Sequence, residues 1–140
     1  MKTKIWSLFT VALLLSACSG SGKGLGGKTY FNEETLTFTL GGYSTCHTEN
    51  YLSFTSDNAG IYRGISDGNL SATWNFTYIL VDDNITITFY SIADYKGNVQ
   101  DRVCKGSLSG DMLIVEMSDG CYPHVNQWST PTKMVYKLQK

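Results

Sequence analysis

The stretch Thr73-Trp74-Asn75-Phe76-Thr77-Tyr78-Ile79-Leu80-Val81-Asp82-Asp83-Asn84-Ile85-Thr86-Ile87-Thr88-Phe89 decides the fold. Trp74, Phe76, Tyr78 and Leu80 hold every second position, and Ile85, Ile87 and Phe89 repeat the pattern after Asp82-Asp83-Asn84. Successive side chains of a β-strand point to opposite faces, so a period of two gives each arm one large apolar face. Thr and aromatic residues suit a pleated, half-buried surface, and Asp and Asn accommodate tight turns. The segment predicts a β-hairpin with Trp74, Phe76, Tyr78 and Phe89 turned toward an interior.

The same alternation runs outward from this hairpin. Leu36, Phe38 and Leu40 alternate with Thr35, Thr37 and Thr39, and Met134, Tyr136 and Leu138 with Lys133, Val135 and Lys137. No long window carries the 3.6-residue helical period. Turn signals recur at Asp57-Asn58-Ala59-Gly60, Ser66-Asp67-Gly68-Asn69, Lys96-Gly97-Asn98, Ser109-Gly110-Asp111 and Ser118-Asp119-Gly120. Strands are expected near 28–31, 34–41, 50–55, 60–65, 70–81, 85–92, 99–108, 112–117 and 132–139. So many strands with one apolar face each must curl or pair to hide it. The expected fold is all-β, either an antiparallel meander barrel of about eight strands or a two-sheet sandwich. Pro123 and Pro131 bracket 119–131, which lacks alternation and reads as a crossing loop or short helical turn.

A length of 140 residues supports one small domain. Lys plus Arg number 11 against 12 Asp plus Glu, a formal charge of −1, so the chain has no basic stripe for nucleic acid. Hydrophobic content of 42% is too high for a wholly disordered chain.

The first residues read as an address. Lys2 and Lys4 precede an apolar run from Ile5 to Ala17. As a helix this run rises about 20 Å, short of the ~30 Å hydrocarbon core. It ends in Leu15-Ser16-Ala17-Cys18, which resembles the lipobox of bacterial lipoproteins. The resemblance implies a signal peptide over 1–17, a diacylglycerol thioether on Cys18, cleavage before it, and acylation, typically with palmitate, of the new amine. Ser19 stands where retention in an inner membrane typically needs Asp, so the implied address is the cell envelope, at the outer membrane if the source has one. Residues 18–27 then form the lipidated Cys and a Gly/Ser tether, with an end-to-end distance of roughly 15–18 Å. The folded body is expected over 28–140.

A second resemblance lies in Leu52-Ser53-Phe54-Thr55-Ser56-Asp57-Asn58-Ala59-Gly60-Ile61-Tyr62, followed by the 73–78 and 84–89 strands. This order is similar to bacterial lipocalin-like lipoproteins, with Gly27-Lys28-Thr29-Tyr30 the nearest counterpart of their opening Gly-x-Trp. It implies a barrel whose interior, lined by Trp74, Phe76, Tyr78 and Phe89, either packs on itself or holds a small apolar ligand.

Export permits disulfides. With Cys18 carrying lipid, Cys46, Cys104 and Cys121 allow three pairings. A Cys46–Cys121 bridge is favoured because both lie at strand ends near loops, and closing that long loop would contribute about 4–5 kcal/mol in the chain-entropy model. Cys46-His47 and Cys121-x-x-His124 offer a permitted zinc set, but neighbours on a strand face opposite ways, so no metal is assigned. Gly106-Ser107-Leu108-Ser109-Gly110 lacks the central Ser of a nucleophile elbow and reads as a turn. Glu33-Glu34, placed before a strand, and Asp82-Asp83, in a hairpin loop, read as solvated carboxylates. The Asn-x-Ser/Thr triplets at Asn69, Asn75 and Asn84 read as products of Thr-rich strands. No phosphate loop, zincin or EF-hand spacing occurs, and neither catalytic residues nor a cofactor is assigned. Tyr95, Tyr122 and Trp128 fall in expected loops, where large rings suggest a contact surface.

The expectation is a membrane-tethered, non-enzymatic binding module, held by lipid at Cys18, for a small apolar ligand or an envelope protein. Alternatives are an inhibitor of a hydrolase such as lysozyme, to whose inhibitors Tyr43-Ser44-Thr45-Cys46 bears a slight resemblance, or a structural subunit of an outer-membrane complex.

Overall fold

The computed structural model describes residues 24–38, 44–93, 97–116 and 133–140. Eight antiparallel strands follow one another around a closed barrel in chain order. They are β1 Thr29–Phe38, β2 Ser44–Phe54, β3 Ala59–Ser66, β4 Asn69–Val81, β5 Asn84–Ala93, β6 Val99–Ser109, β7 Met112–Glu116 and β8 Lys133–Leu138. The barrel, not the sandwich, is the solution the alternation takes.

The β4–β5 hairpin forms as its pattern dictates. Phe76 pairs with Phe89, Tyr78 with Ile87 and Leu80 with Ile85, all inward, and Asp82 closes the turn at φ 55°. Asp67-Gly68 makes the β3–β4 turn with both residues at positive φ, the backbone of a type I′ hairpin turn. A bulge after Phe89, with Ser91 at φ 58°, lets Ile92 rejoin the interior face.

A meander gives the barrel two unlike ends. One is the turn end, carrying 55–58, 82–83, 110–111 and both ends of the described body. The other is the loop end, where the strand tips flanking 39–43, 67–68, 94–98 and 117–132 all lie.

Three expectations change. The strands expected at 28–31 and 34–41 are joined in β1, Thr29–Phe38, so Glu33-Glu34 lies inside β1, opposite Glu49 and Thr48, and not ahead of a strand. The β2 strand starts at Ser44, well before 50, because Thr48 and Asn50 are inward residues that are polar and break the apolar alternation. The folded body begins by Leu25, not Lys28. Leu25 is 1% exposed in the core, and Gly27 N donates to Phe54 O at 2.7 Å. Gly24 and Gly26 pass so close to Asp57 that a side chain at Gly24 would strike its carboxylate. Gly24–Gly27 thus belong to the barrel and not to the tether expected over 18–27. Burying Leu25 is worth about 1.5–3 kcal/mol.

Phe54, Phe76, Tyr78, Tyr30, Tyr62 and Phe89 dominate the interior, with Leu52, Ile85, Ile87, Leu113, Val115 and Tyr136 between them. Phe76 fits because Gly60 on β3 has no side chain. A Cβ there would run into the Phe76 ring and the Ser53 carbonyl. Gly60→Ala should therefore destabilise the barrel by about 1–3 kcal/mol through overpacking, read as a lower urea midpoint, whereas Gly68→Ala should act only through its strained positive φ.

Candidate functional site

The sequence singled out four inward aromatics, and the barrel brings all four to its interior, Phe76 and Phe89 at one level with Tyr78 and Trp74 on either side. Phe76 and Phe89 are cross-strand partners with ring centroids 5.6 Å apart and tilted by 69°. Phe54 meets Phe76 at 5.3 Å and Tyr78 at 4.8 Å, both edge to face. Such pairs add about 0.5–1.5 kcal/mol beyond their burial. Phe76 and Phe89 are each 1% exposed, so neither ring borders a space wide enough for water. Tyr78 directs its hydroxyl to the turn end, donating to Ser56 O at 2.9 Å. Trp74, half-buried nearer the loop end, stacks on Tyr62 at 5.0 Å and 7°.

Above these rings the interior turns polar, a layer the sequence did not announce. The Tyr62 hydroxyl donates to Asn50 Oδ1 at 2.7 Å, Asn50 Nδ2 to Asn32 Oδ1 at 3.3 Å, and Asn32 Nδ2 to Val135 O at 3.0 Å. Thr48 Oγ1 donates to Glu34 O at 3.3 Å. Asn50 is only 3% exposed, so the chain of bonds keeps its amide from being buried unsatisfied. The signal available in sequence was the spacing itself, since Thr48 and Asn50 keep the inward parity of Leu52 and Phe54.

The last bond of that chain marks the barrel's seam. Among the described residues the β1–β8 ladder comprises Tyr30 opposite Leu138 and Phe31 opposite Lys137, with Gln139 N donating to Thr29 O at 2.9 Å. Beyond Phe31 the Asn32 side chain replaces the backbone as donor to β8. From Glu33 to Phe38, β1 pairs with β2, and among the described residues no strand pairs with its other side.

Outside the barrel, β1 and β2 carry a charged row. His47 Nε2 lies 3.7 Å from Glu49 Oε1 and 4.0 Å from Glu33 Oε2. Tyr51 donates its hydroxyl to Glu49 Oε2 at 2.8 Å, and Arg63 lies over the Tyr51 ring at 5.8 Å. The bond to Glu49, then burial, raises the Tyr51 phenol pKa. Among the described residues no three His, Cys, Asp or Glu side chains are placed to hold a metal ion.

Cys46 carries a free thiol, which departs from the expected Cys46–Cys121 pairing. Burial and then the Asp67 side chain raise its pKa, keeping the sulfur in the less nucleophilic protonated form. Cys104 is fully buried on β6, and no disulfide forms among the described residues. Cys18, Tyr95, Cys121, Tyr122, His124 and Trp128 lie outside the described residues. The strand tips that flank the last five (Ala93, Val99, Glu116 and Lys133) are all at the loop end.

No family model, no curated protein and no solved structure matches the chain.

Two outcomes follow from the interior bonds. Tyr62→Phe leaves Asn50 Oδ1 without its buried donor and should cost about 1–3 kcal/mol in equilibrium unfolding. Burial and the Asp111 carboxylate raise the Tyr30 pKa, while burial and Asp57 raise that of Tyr78 against a backbone hydrogen bond at Leu25 that lowers it. Phenols of the unfolded chain ionise near pH 10 while the folded ones keep their protons, so stability should be level to about pH 9 and fall above pH 10. Thermal unfolding across that range should show a smaller alkaline loss in Tyr30→Phe.

Proposed function

We propose that the chain is a lipid-anchored protein of the bacterial cell envelope, held through Cys18, that acts without catalysis as a binding module for another envelope protein. The lipobox-like Leu15-Ser16-Ala17-Cys18 supports the anchor. A single acyl chain binds membranes only marginally, whereas the two or three chains of a lipoprotein hold durably. The seating of Leu25 at the turn end supports an orientation. The chain leaves the barrel there, so that end faces the membrane and the loop end faces away. β4 alone has 13 residues. At about 3.3 Å per residue and a tilt near 40°, it lifts the loop end roughly 30–35 Å above the turn end.

The observation that carries the choice of partner is the packing of Phe54, Tyr62, Phe76 and Phe89 on one another. A carrier of apolar ligands needs concave space lined by such rings. Here the rings fill that place themselves, which leaves recognition to the outside and the rim. The loop end, with its polar interior layer and its shortened seam, is the part of the surface best placed for it. Ser19 favours the outer membrane where the source has one.

The test is direct. The purified chain should carry a lipid mass on a peptide beginning at Cys18, and Cys18→Ser should move it from the membrane to the soluble fraction. Native mass spectrometry should find the barrel without a bound apolar molecule. One such molecule per barrel would replace the protein partner with a carrier role, and an unmodified Cys18 sulfur would remove the anchor.

A further inference from the structure

We infer that the outer edge of β1, from Glu33 to Thr37, receives an extended, basic segment of a partner protein by strand addition. This deepens the proposed function, on whose membrane orientation one step of the argument rests.

Thr29 O accepts from β8, and Lys28 O accepts from Phe54 N on β2. Backbone groups alternate along a strand, and the β1–β2 register runs without a shift from Thr29 to Phe38. The N–H and C=O groups of Glu33, Thr35 and Thr37 therefore point away from β2. They would face β8, but β8 pairs only as far up as Phe31, and its next outward carbonyl, that of Val135, is occupied by Asn32 Nδ2. Asn32 thus takes one β8 carbonyl, and among the described residues no strand pairs with the Glu33–Thr37 edge of β1. An open row of donors and acceptors is a template for another strand. Thr35-Leu36-Thr37-Phe38 is uncharged and free of Pro and Gly, which suits pairing.

Charge chooses the occupant. Glu33 is 63% exposed on the outer face, with Glu49 directly across the β1–β2 ladder and Glu34 next in the chain. His47 lies against the two outer carboxylates, and the Lys133 ammonium is engaged 3.1 Å from Glu116. The edge is acidic, so basic side chains on the added strand gain and acidic ones lose, by cross-strand pairing. A second copy fits poorly. Copies anchored in one membrane present β1 in the same direction, so only parallel pairing is open to them. At equal height that sets Glu33 and Glu34 against their own counterparts.

The probe is a seven-residue synthetic peptide alternating lysine and valine, added at millimolar concentration to the full chain in detergent micelles. Amide hydrogen exchange is read by NMR. Without peptide, the Glu33, Thr35 and Thr37 amides should exchange at least about tenfold faster than those of Asn32 and Glu34, which bond to β2. The lysine peptide should slow these three amides by about tenfold or more, while a peptide with aspartate in place of lysine should not. Thr35→Pro removes an N–H that no β2 bond uses and should abolish the protection. If that variant fails to fold, a lysine peptide N-methylated at alternate positions, tested on the unaltered chain, should fail in the same way. Slow exchange at the three amides without peptide overturns the inference, whether the cover is this chain or a second copy seen by sedimentation. So does a lysine peptide without effect, or an aspartate peptide with equal effect. Loss of the Cys18 anchor would be read separately by mass, and would leave the exchange result standing.

Discussion

The barrel must fill itself, and the contact on which the filling depends is Phe76 lying over Gly60. An eight-stranded closed sheet leaves an interior just wide enough for side chains. Phe54 takes the centre, with Tyr30 at 5.8 Å, Phe76 at 5.3 Å and Tyr78 at 4.8 Å around it. Phe76 reaches that position only because β3 offers a bare backbone at Gly60. From Phe76 the contacts continue to Phe89 and from Phe89 to Tyr62, so one missing methyl group sets the spacing of rings on five strands. Leu25 closes the same stack from the turn end.

The stack ends at Tyr62, and what lies beyond follows from its hydroxyl. A buried phenol needs a partner, and Asn50 supplies one. Asn50 in turn needs Asn32, and Asn32 satisfies its own amide on Val135. A requirement that begins in the core is thus discharged at the seam, where a side-chain bond stands in for the next rung of the β1–β8 ladder. The two ends differ in kind as a result. The turn end is closed by apolar burial and tight turns, while the described interior nearer the loop end is held by the hydrogen bonds of Tyr62, Asn50 and Asn32.

The sequence disclosed what obeyed a period and concealed what broke it. The 73–89 hairpin was legible because every inward residue is apolar and Asp82-Asp83 punctuates it. The same holds for Met134, Tyr136 and Leu138. The first half of β2 was not legible, because Thr48 and Asn50 occupy inward positions that hydropathy scores as loop, and Asn32 and Glu34 hid the middle of β1 for the same reason. Leu25 was concealed by its neighbours. Flanking glycines read as a tether, yet they are there because Asp57 leaves no space for larger residues. Of the candidate site, the four aromatics were placed correctly on the inward face. That Phe76 and Tyr78 would pack on Phe54 and Phe89 on Phe76, with Trp74 higher beside Tyr62, depended on ring geometry across strands, which a period of two does not encode. The free Cys46 thiol likewise depends on what surrounds it and not on its distance along the chain.

Position along the barrel axis connects these features to a role. The polar layer, the short seam and the acidic β1 edge all lie toward the end opposite Leu25, and in the proposed arrangement that end points away from the membrane. A fully laddered barrel with an apolar mouth would have offered a partner either a cavity or nothing. Here the substitution of Asn32 for a backbone donor shortens the ladder without opening the core, because Tyr62, Asn50 and Asn32 satisfy one another beneath it. Among the described residues the barrel therefore leaves strand edge unpaired toward its loop end while the aromatic packing beneath stays intact. Binding by edge addition asks little rearrangement of such a scaffold, since the Glu33, Thr35 and Thr37 donors, which no described strand uses, are already held straight by β2 on their other side.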